Sequence, residues 1–164
     1  MAVAASAPGY EAPEICAKCG GKCCKRLPGG AVPADFGKPL LENLAKALAT
    51  GDWAIDWHYR NIFGDNMEPT YYIRPAIRAE EGEEYPLYHY AVRGDGKCIF
   101  LTPSGCRLPF AQRPTECRML EPSEDGCKTH MDQNGKEGLS RHWLGYQHII
   151  KAAAQAVGVK EESA

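Results

Sequence analysis

The sequence predicts a small α+β domain with two main helices, a short β-hairpin and irregular cysteine-rich loops. Three observations lead to this prediction. Apolar residues recur at helical spacing in two segments, and a run rich in Tyr, Ile, Val and Phe between them is typical of strands. Eight cysteines fall in two groups, and the chain of 164 residues has the size of one domain.

The first main helix is predicted over 39–51. Pro39 suits a first helical turn, and Leu40, Leu44 and Leu48 recur at helical spacing. Gly51 provides a C-terminal stop. We expect this helix to pack on the core.

Strands are predicted in the region from Thr70 to Leu101, where Pro75 indicates an edge strand. Within it, 85–101 predicts a hairpin that turns at 94–96, because glycines there accept positive φ. Cys98 would then begin a strand. Upstream, Trp53 and Trp57 are interpreted as core aromatics, and His58 beside them as structural rather than ligating.

The second main helix is predicted to begin at Ser140, whose hydroxyl can cap it. Leu139 and Leu144 are placed for a hydrophobic staple across this start. Its apolar positions are Trp143, Tyr146, Ile150, Ala153 and Val157.

Composition and charge indicate the cellular compartment and which classes of partner are disfavoured. The formal net charge of -2 argues against a nucleic-acid partner, and every apolar run is too interrupted to span a membrane. Residues 1–13 lack the pattern of a secretory signal and are interpreted as a flexible tail. Residues 14–158 then form one domain and 159–164 a short tail, and we expect a cytoplasmic protein.

The cysteines form two quartets, each with its own spacing. The first reads C-x2-C-x3-C-C, and the second is spread over Pro-rich loops that only folding can bring together. The eight candidate ligands are Cys16, Cys19, Cys23, Cys24, Cys98, Cys106, Cys117 and Cys127.

Metal binding is the leading interpretation of these thiols, because a reducing cytoplasm disfavours disulfides. Gly20 and Gly21 allow the turn that aims a C-x2-C pair at one ion, and Gly105 and Gly126 precede later cysteines similarly. Disulfides and inert burial remain alternatives, the latter especially for one of the adjacent Cys23 and Cys24. The metal would staple the loops of a small domain.

Other side chains near the cysteines have two interpretations each. Cationic side chains beside the cysteines would lower the pKa of the thiols and favour the thiolate form, or they are ordinary surface residues. These cations are Lys18, Lys22, Lys25, Arg26, Lys97, Arg107, Arg118 and Lys128. His130, His142 and His148 are weaker ligand candidates, because eight cysteines already suffice for two four-coordinate sites.

The segments "CAKCGGKCC" and "CIFLTPSGCRLPFAQRPTECR" resemble the YkgJ-like cysteine-cluster proteins, a zinc- or iron-chelating domain family. The resemblance covers residues 14 to 150 and includes the W-x2-D-W stretch of one branch. It implies a metal site built from the first seven cysteines, whereas Cys127 matches only some members. A related flagellin lysine methylase with an iron–sulfur cluster implies iron as well as zinc.

Several functions are compatible with such a site. An iron–sulfur cluster is placed slightly ahead of Zn²⁺, with electron transfer or maturation of a partner enzyme as the role. The alternative is a structural zinc module that acts as an interaction adaptor. No recognised catalytic motif is present, so an enzyme that binds an anion through the "RPTECR" cations and a zinc module on nucleic acid rank lower.

Overall fold

The computed structural model describes residues 9–25, 28–60, 68–77 and 97–158. Its helices and strands in chain order are α1 (Pro13–Cys19), α2 (Leu40–Ala49), β1 (Trp53–Arg60), β2 (Glu68–Pro75), β3 (Leu101–Thr102), β4 (Gly105–Cys106), α3 (Thr115–Arg118), β5 (Leu120–Glu121), β6 (Lys128–Thr129), α4 (Gly135–His142) and α5 (Gln147–Ala156). Single 3₁₀ turns cover Lys22–Lys25, Pro33–Phe36, Phe110–Gln112 and Leu144–Tyr146. The predicted mixed α+β class with small antiparallel sheets is confirmed.

The core is built on the antiparallel ladder of β1 and β2, which runs from the Trp53–Pro75 pair to the Arg60–Glu68 pair. Residues 54–57 and 70–76 are buried without alternation, as expected for strands that are covered on both faces. Helices α2, α4 and α5 pack against this ladder, and α2 also packs against α5. Trp57 is in the core and Trp53 packs against it, which confirms the prediction for both aromatics.

The prediction for α2 is confirmed, with Pro39 at the N-cap position rather than inside the first turn. Leu44 and Leu48 are fully buried, and Gly51 adopts φ +77° just after the helix. The local signals alone were therefore enough to define this helix.

The predicted start of the last helix was wrong. Ser140 lies inside α4 and its hydroxyl donates to the Glu137 carbonyl at 2.7 Å, so it does not cap a helix. A 3₁₀ turn at Leu144–Tyr146 separates α4 from α5. Leu139 and Leu144 consequently do not form the predicted staple, although Ile150 and Ala153 are buried as expected.

The hairpin predicted over 85–101 falls mostly outside the described residues. Cys98 does not begin a strand: it pairs with Ile77 in an isolated antiparallel bridge. Two short antiparallel strand pairs are described downstream: β3–β4, closed by the turn between Thr102 and Gly105, and β5–β6. No helix in the described ranges is long and apolar enough to cross a bilayer.

Candidate metal centre

The first quartet is carried by two short helical segments joined by a glycine turn. Cys16 and Cys19 lie one turn apart on α1, and Cys24 lies in the 3₁₀ turn that follows. Gly20 and Gly21 have φ values of +65° and +71°, which L side chains rarely adopt. The predicted turn is therefore present; the side chain of Cys23 lies outside the described set.

The second quartet comes from four separate places in the fold. Cys98 lies in the bridge to Ile77, Cys106 in β4 and Cys117 in α3, and Cys127 directly precedes β6. Gly105 and Gly126 before two of these cysteines have φ values of +115° and +136°. L side chains rarely adopt such φ values, so glycine suits the backbone turn before each of these two cysteines.

Both quartets line the same cavity, whose volume is about 220 Å³. The cysteines in its wall are Cys16, Cys19, Cys24, Cys98, Cys106, Cys117 and Cys127. Most of the remaining wall is apolar, with Ile15, Phe100, Leu101 and several prolines. Tertiary folding thus unites two groups of thiols that the sequence keeps far apart.

Backbone contacts hold the two quartets together. The Cys98 amide donates to the Cys24 carbonyl at 2.8 Å, which joins one member of each quartet directly. Gly105 in β4 approaches α1 closely, since a Cβ on it would lie 4.0 Å from the Cys16 Cβ.

A second set of contacts positions Cys117. Gly29 passes so close to it that an added Cβ would lie 2.6 Å from its Sγ. Asp35 fixes the start of α3 by accepting from the Thr115 amide at 2.8 Å and hydroxyl at 2.6 Å. Glu116 accepts from the Gly30 amide at 3.1 Å, which ties the preceding loop to the same helix. The Cys117 thiol thus lies against the Gly29 backbone and is carried by a helix whose start is fixed by Asp35.

The thiols differ in their environment. Cys98 is 6% exposed, and burial raises the pKa of its thiol to about 11. The Cys19 thiol donates to the Cys16 carbonyl at 3.5 Å and the Cys117 thiol to the Gly29 carbonyl at 3.6 Å. A metal would have to displace these protons, because thiolate is the ligating form.

The cavity suits a thiolate-bound metal group in its donor set. Soft sulfur donors select zinc, Cu(I) and iron–sulfur clusters, and apolar walls exclude competing water. In the described part of the chain, no three Cys, His, Asp or Glu side chains are close enough to hold one ion as placed. The cysteine sulfurs thus line the cavity without meeting at a single ion position.

The histidines that the structure describes lie elsewhere. His130, His142 and His148 do not line the cavity, and neither does His58. His130 stacks on Tyr10 with ring centroids 4.3 Å apart and pairs with Glu121 at 2.6 Å. Tyr10 in turn donates its amide to the Arg118 carbonyl at 2.9 Å, so the predicted N-terminal tail contacts the domain at this residue.

The predicted cations have unequal roles. Arg118 is buried and pairs with Asp35 at 3.1 Å, so it is not an exposed anion-binding group. Arg107 pairs with Asp52 at 3.4 Å, and the 75% exposed side chain of Lys18 lies 3.9 Å from Glu124. Arg113 of the "RPTECR" segment lines the cavity. Arg26 lies outside the described residues.

Comparison of the chain with protein-family models, curated proteins and solved structures returns no match. The resemblance to YkgJ-like proteins therefore stays a prediction.

Sequence reasoning missed a buried polar network behind the cavity. Asp56, Tyr72 and Arg74 are fully buried on β1 and β2. The Asp56 carboxylate accepts from Arg74 Nε at 2.8 Å and from the Tyr72 hydroxyl at 3.0 Å. Burial, with the Asp56 charge beside it, raises the pKa of the Tyr72 phenol. The signal available in the sequence was Asp56 within the otherwise apolar stretch 54–57 and Arg74 as the one charged residue of the stretch 70–76.

Proposed function

We propose that this protein binds an iron–sulfur cluster through the cysteines of the cavity and serves as a metal-binding accessory protein. One observation carries the proposal: seven cysteines, drawn from both quartets, line a single cavity. Inert burial would not require thiols from six separate segments to face the same space. When bound, the cluster would supply one-electron redox chemistry, and the cysteines would hold it as thiolates.

The number and spread of the cysteines favour a cluster over a single ion. Seven thiols from separate segments line a cavity of about 220 Å³, whereas one tetrahedral ion takes only four donors. A cubane core fills a larger volume and accepts thiolates from separate loops.

A structural zinc site is the second candidate, and one observation favours it. Helix α1 carries Cys16 and Cys19 but has no buried residue of its own. Metal ligation would therefore supply the attachment that hydrophobic packing does not, as in other small metal domains. In this case the protein would act as an interaction adaptor.

The proposed role is electron transfer to, or maturation of, a partner enzyme in the cytoplasm. A reducing compartment keeps the thiols available as ligands. No recognised catalytic motif occurs in the sequence, so the role rests on binding rather than turnover.

The first experiment is metal and acid-labile sulfide analysis, with a visible spectrum, of protein purified without oxygen. Iron with sulfide and a broad charge-transfer band is expected. Zinc in a colourless protein would favour the adaptor role, and protein that neither retains nor takes up metal would contradict both.

Cys16→Ser and Cys106→Ser test the site, because they remove one thiol from each quartet. Each is expected to lower metal content and melting temperature, since binding energy contributes to folding energy. Ala17→Ser is the matched control: it adds the same hydroxyl to an exposed position of α1 that does not line the cavity. Full metal content in both cysteine variants would refute this ligand set.

A further inference from the structure

Arg74 has an unusual environment for a charged residue. It is fully buried on β2, where its Nε donates to Asp56 Oδ2 at 2.8 Å and its Nη1 to the Pro75 carbonyl at 3.0 Å. Its Nη2 is buried and has no hydrogen-bond partner among the described residues. Burying a charged donor without an acceptor costs free energy, so packing alone gives no reason for arginine at this position.

The charges around Arg74 do not cancel locally. Asp56 lies against two cations, because Lys136 Nζ is 3.6 Å from Asp56 Oδ1. These three groups together carry a net positive charge. The Glu116 carboxyl is directed elsewhere: its two oxygens accept from the Gly30 amide at 3.1 Å and from the Gly135 amide at 2.8 Å.

Arg74 stands directly behind the wall of the cavity. The Pro75 carbonyl that it holds belongs to a residue that lines the cavity. The chain then continues to Ile77, which pairs with Cys98, and the Ile99 amide donates to the Ala76 carbonyl at 2.9 Å.

We propose that Arg74 is the counter-charge of the cysteine cavity, and that its fixed positive charge favours an anionic, thiolate-bound occupant. This inference rests on the proposed function. A metal bound by four thiolates carries net negative charge when the ion is divalent. A cation held in a low-dielectric wall stabilises that product more than it would in water. Arg74 thereby acts through the field at the cavity and not as a ligand.

The decisive test uses two substitutions that break the same ion pair but change the charge in opposite directions. Arg74→Met removes a positive charge and Asp56→Asn removes a negative one. We expect Cd²⁺, titrated into the metal-free protein against a competing chelator, to bind about tenfold more weakly to Arg74→Met and about tenfold more tightly to Asp56→Asn. A purely structural role would weaken binding in both.

Lys136→Met supplies a variant that does not disturb the core, because 35% of the Lys136 side chain is exposed. It is expected to weaken Cd²⁺ binding about threefold. Arg141→Met on the same helix is its control, since Arg141 pairs with Glu137 at the surface at 2.7 Å. If Arg74→Met does not fold, as judged by circular dichroism, Lys136→Met replaces it. The comparison of Lys136→Met with Asp56→Asn then shows whether loss of positive and of negative charge changes Cd²⁺ affinity in opposite directions.

The outcomes separate the two proposals. Wild-type protein that binds neither Cd²⁺ nor iron would refute the proposed function and this inference with it. Wild-type binding with equal affinities in all variants, or with shifts of the same sign for Arg74→Met and Asp56→Asn, would overturn the inference about Arg74 alone. Opposite shifts would establish it.

Discussion

At the scale of single residues, the site depends on how closely the backbone approaches the thiols. Gly29 is the clearest case, because a Cβ there would lie 2.6 Å from Cys117 Sγ and 3.1 Å from the Cys117 amide nitrogen. Backbone atoms cannot rotate away as a flexible side chain can. The position therefore accepts only glycine without displacement of a proposed ligand.

Gly29→Ala is expected to destabilise the fold by about 1–3 kcal/mol, since overpacking forces backbone shifts. Gly145→Ala is the control, because nothing lies within 4 Å of a Cβ added there. Urea denaturation measures both changes. Equal stabilities for the two variants would mean that the Gly29 loop moves without cost.

Cys98 is the thiol most protected by burial. Its pKa of about 11, against an ordinary 9.0, leaves about a hundredfold less thiolate at neutral pH. Because thiolate is the nucleophile, iodoacetamide should modify Cys98 far more slowly than Cys106 in metal-free folded protein. Both cysteines lie on the tryptic peptide 98–107, so fragmentation of that peptide by tandem mass spectrometry over a time course measures the two rates, and similar rates would contradict the burial of Cys98.

At the scale of elements, α2 shows how one helix face supports the core that carries the site. Leu44 and Leu48 are fully buried, whereas Leu41 on the same helix is 43% exposed to solvent. The buried face packs against α5, which links the two ten-residue helices of the domain. Burial on one face therefore explains why the local pattern predicted α2 well.

Leu48→Ala is expected to cost about 2–5 kcal/mol, because it removes buried methyl groups and leaves a cavity. Leu41→Ala, the same chemical change on the exposed face, should cost far less. Thermal unfolding compares the two. A large loss for Leu41→Ala would show that this leucine is covered by something other than solvent.

The last helix shows where local signals fail. Ser140 has the residue type of a cap, yet its hydroxyl bonds to the Glu137 carbonyl within α4. A serine that bonds one turn back and a serine that caps look alike in sequence. Only the packing of the preceding residues, including buried Gly138 and Leu139, decides between them.

At the scale of the whole molecule, the spacing of the eight ligand candidates left one shared site and two separate sites both open, although the family resemblance implied one site from the first seven cysteines. Spacing identifies a C-x2-C pair, whereas the meeting of Cys24 with Cys98 depends on contacts across 74 residues of chain. The Arg74–Asp56 pair was missed for the same reason. These residues are 18 apart, and only the pairing of β1 with β2 brings them together.

Metal removal should loosen α1 in particular, because this helix contributes no buried residue. We expect trypsin to cleave after Lys18 faster in metal-free than in metal-loaded protein. Lys46, exposed on the core-packed α2, is the internal control and should be cut at the same slow rate in both. Equal cleavage after Lys18 would show that α1 is held without metal.

The shared cavity also sets the order of events during biosynthesis. The chain is made from its N-terminus, so Cys16 to Cys24 leave the ribosome long before Cys127. Because cysteines of both quartets line one cavity, the first quartet cannot complete that cavity until the segment that carries Cys127 has been synthesised. Under the proposed function, metal can therefore enter the complete site only once synthesis has passed the second quartet.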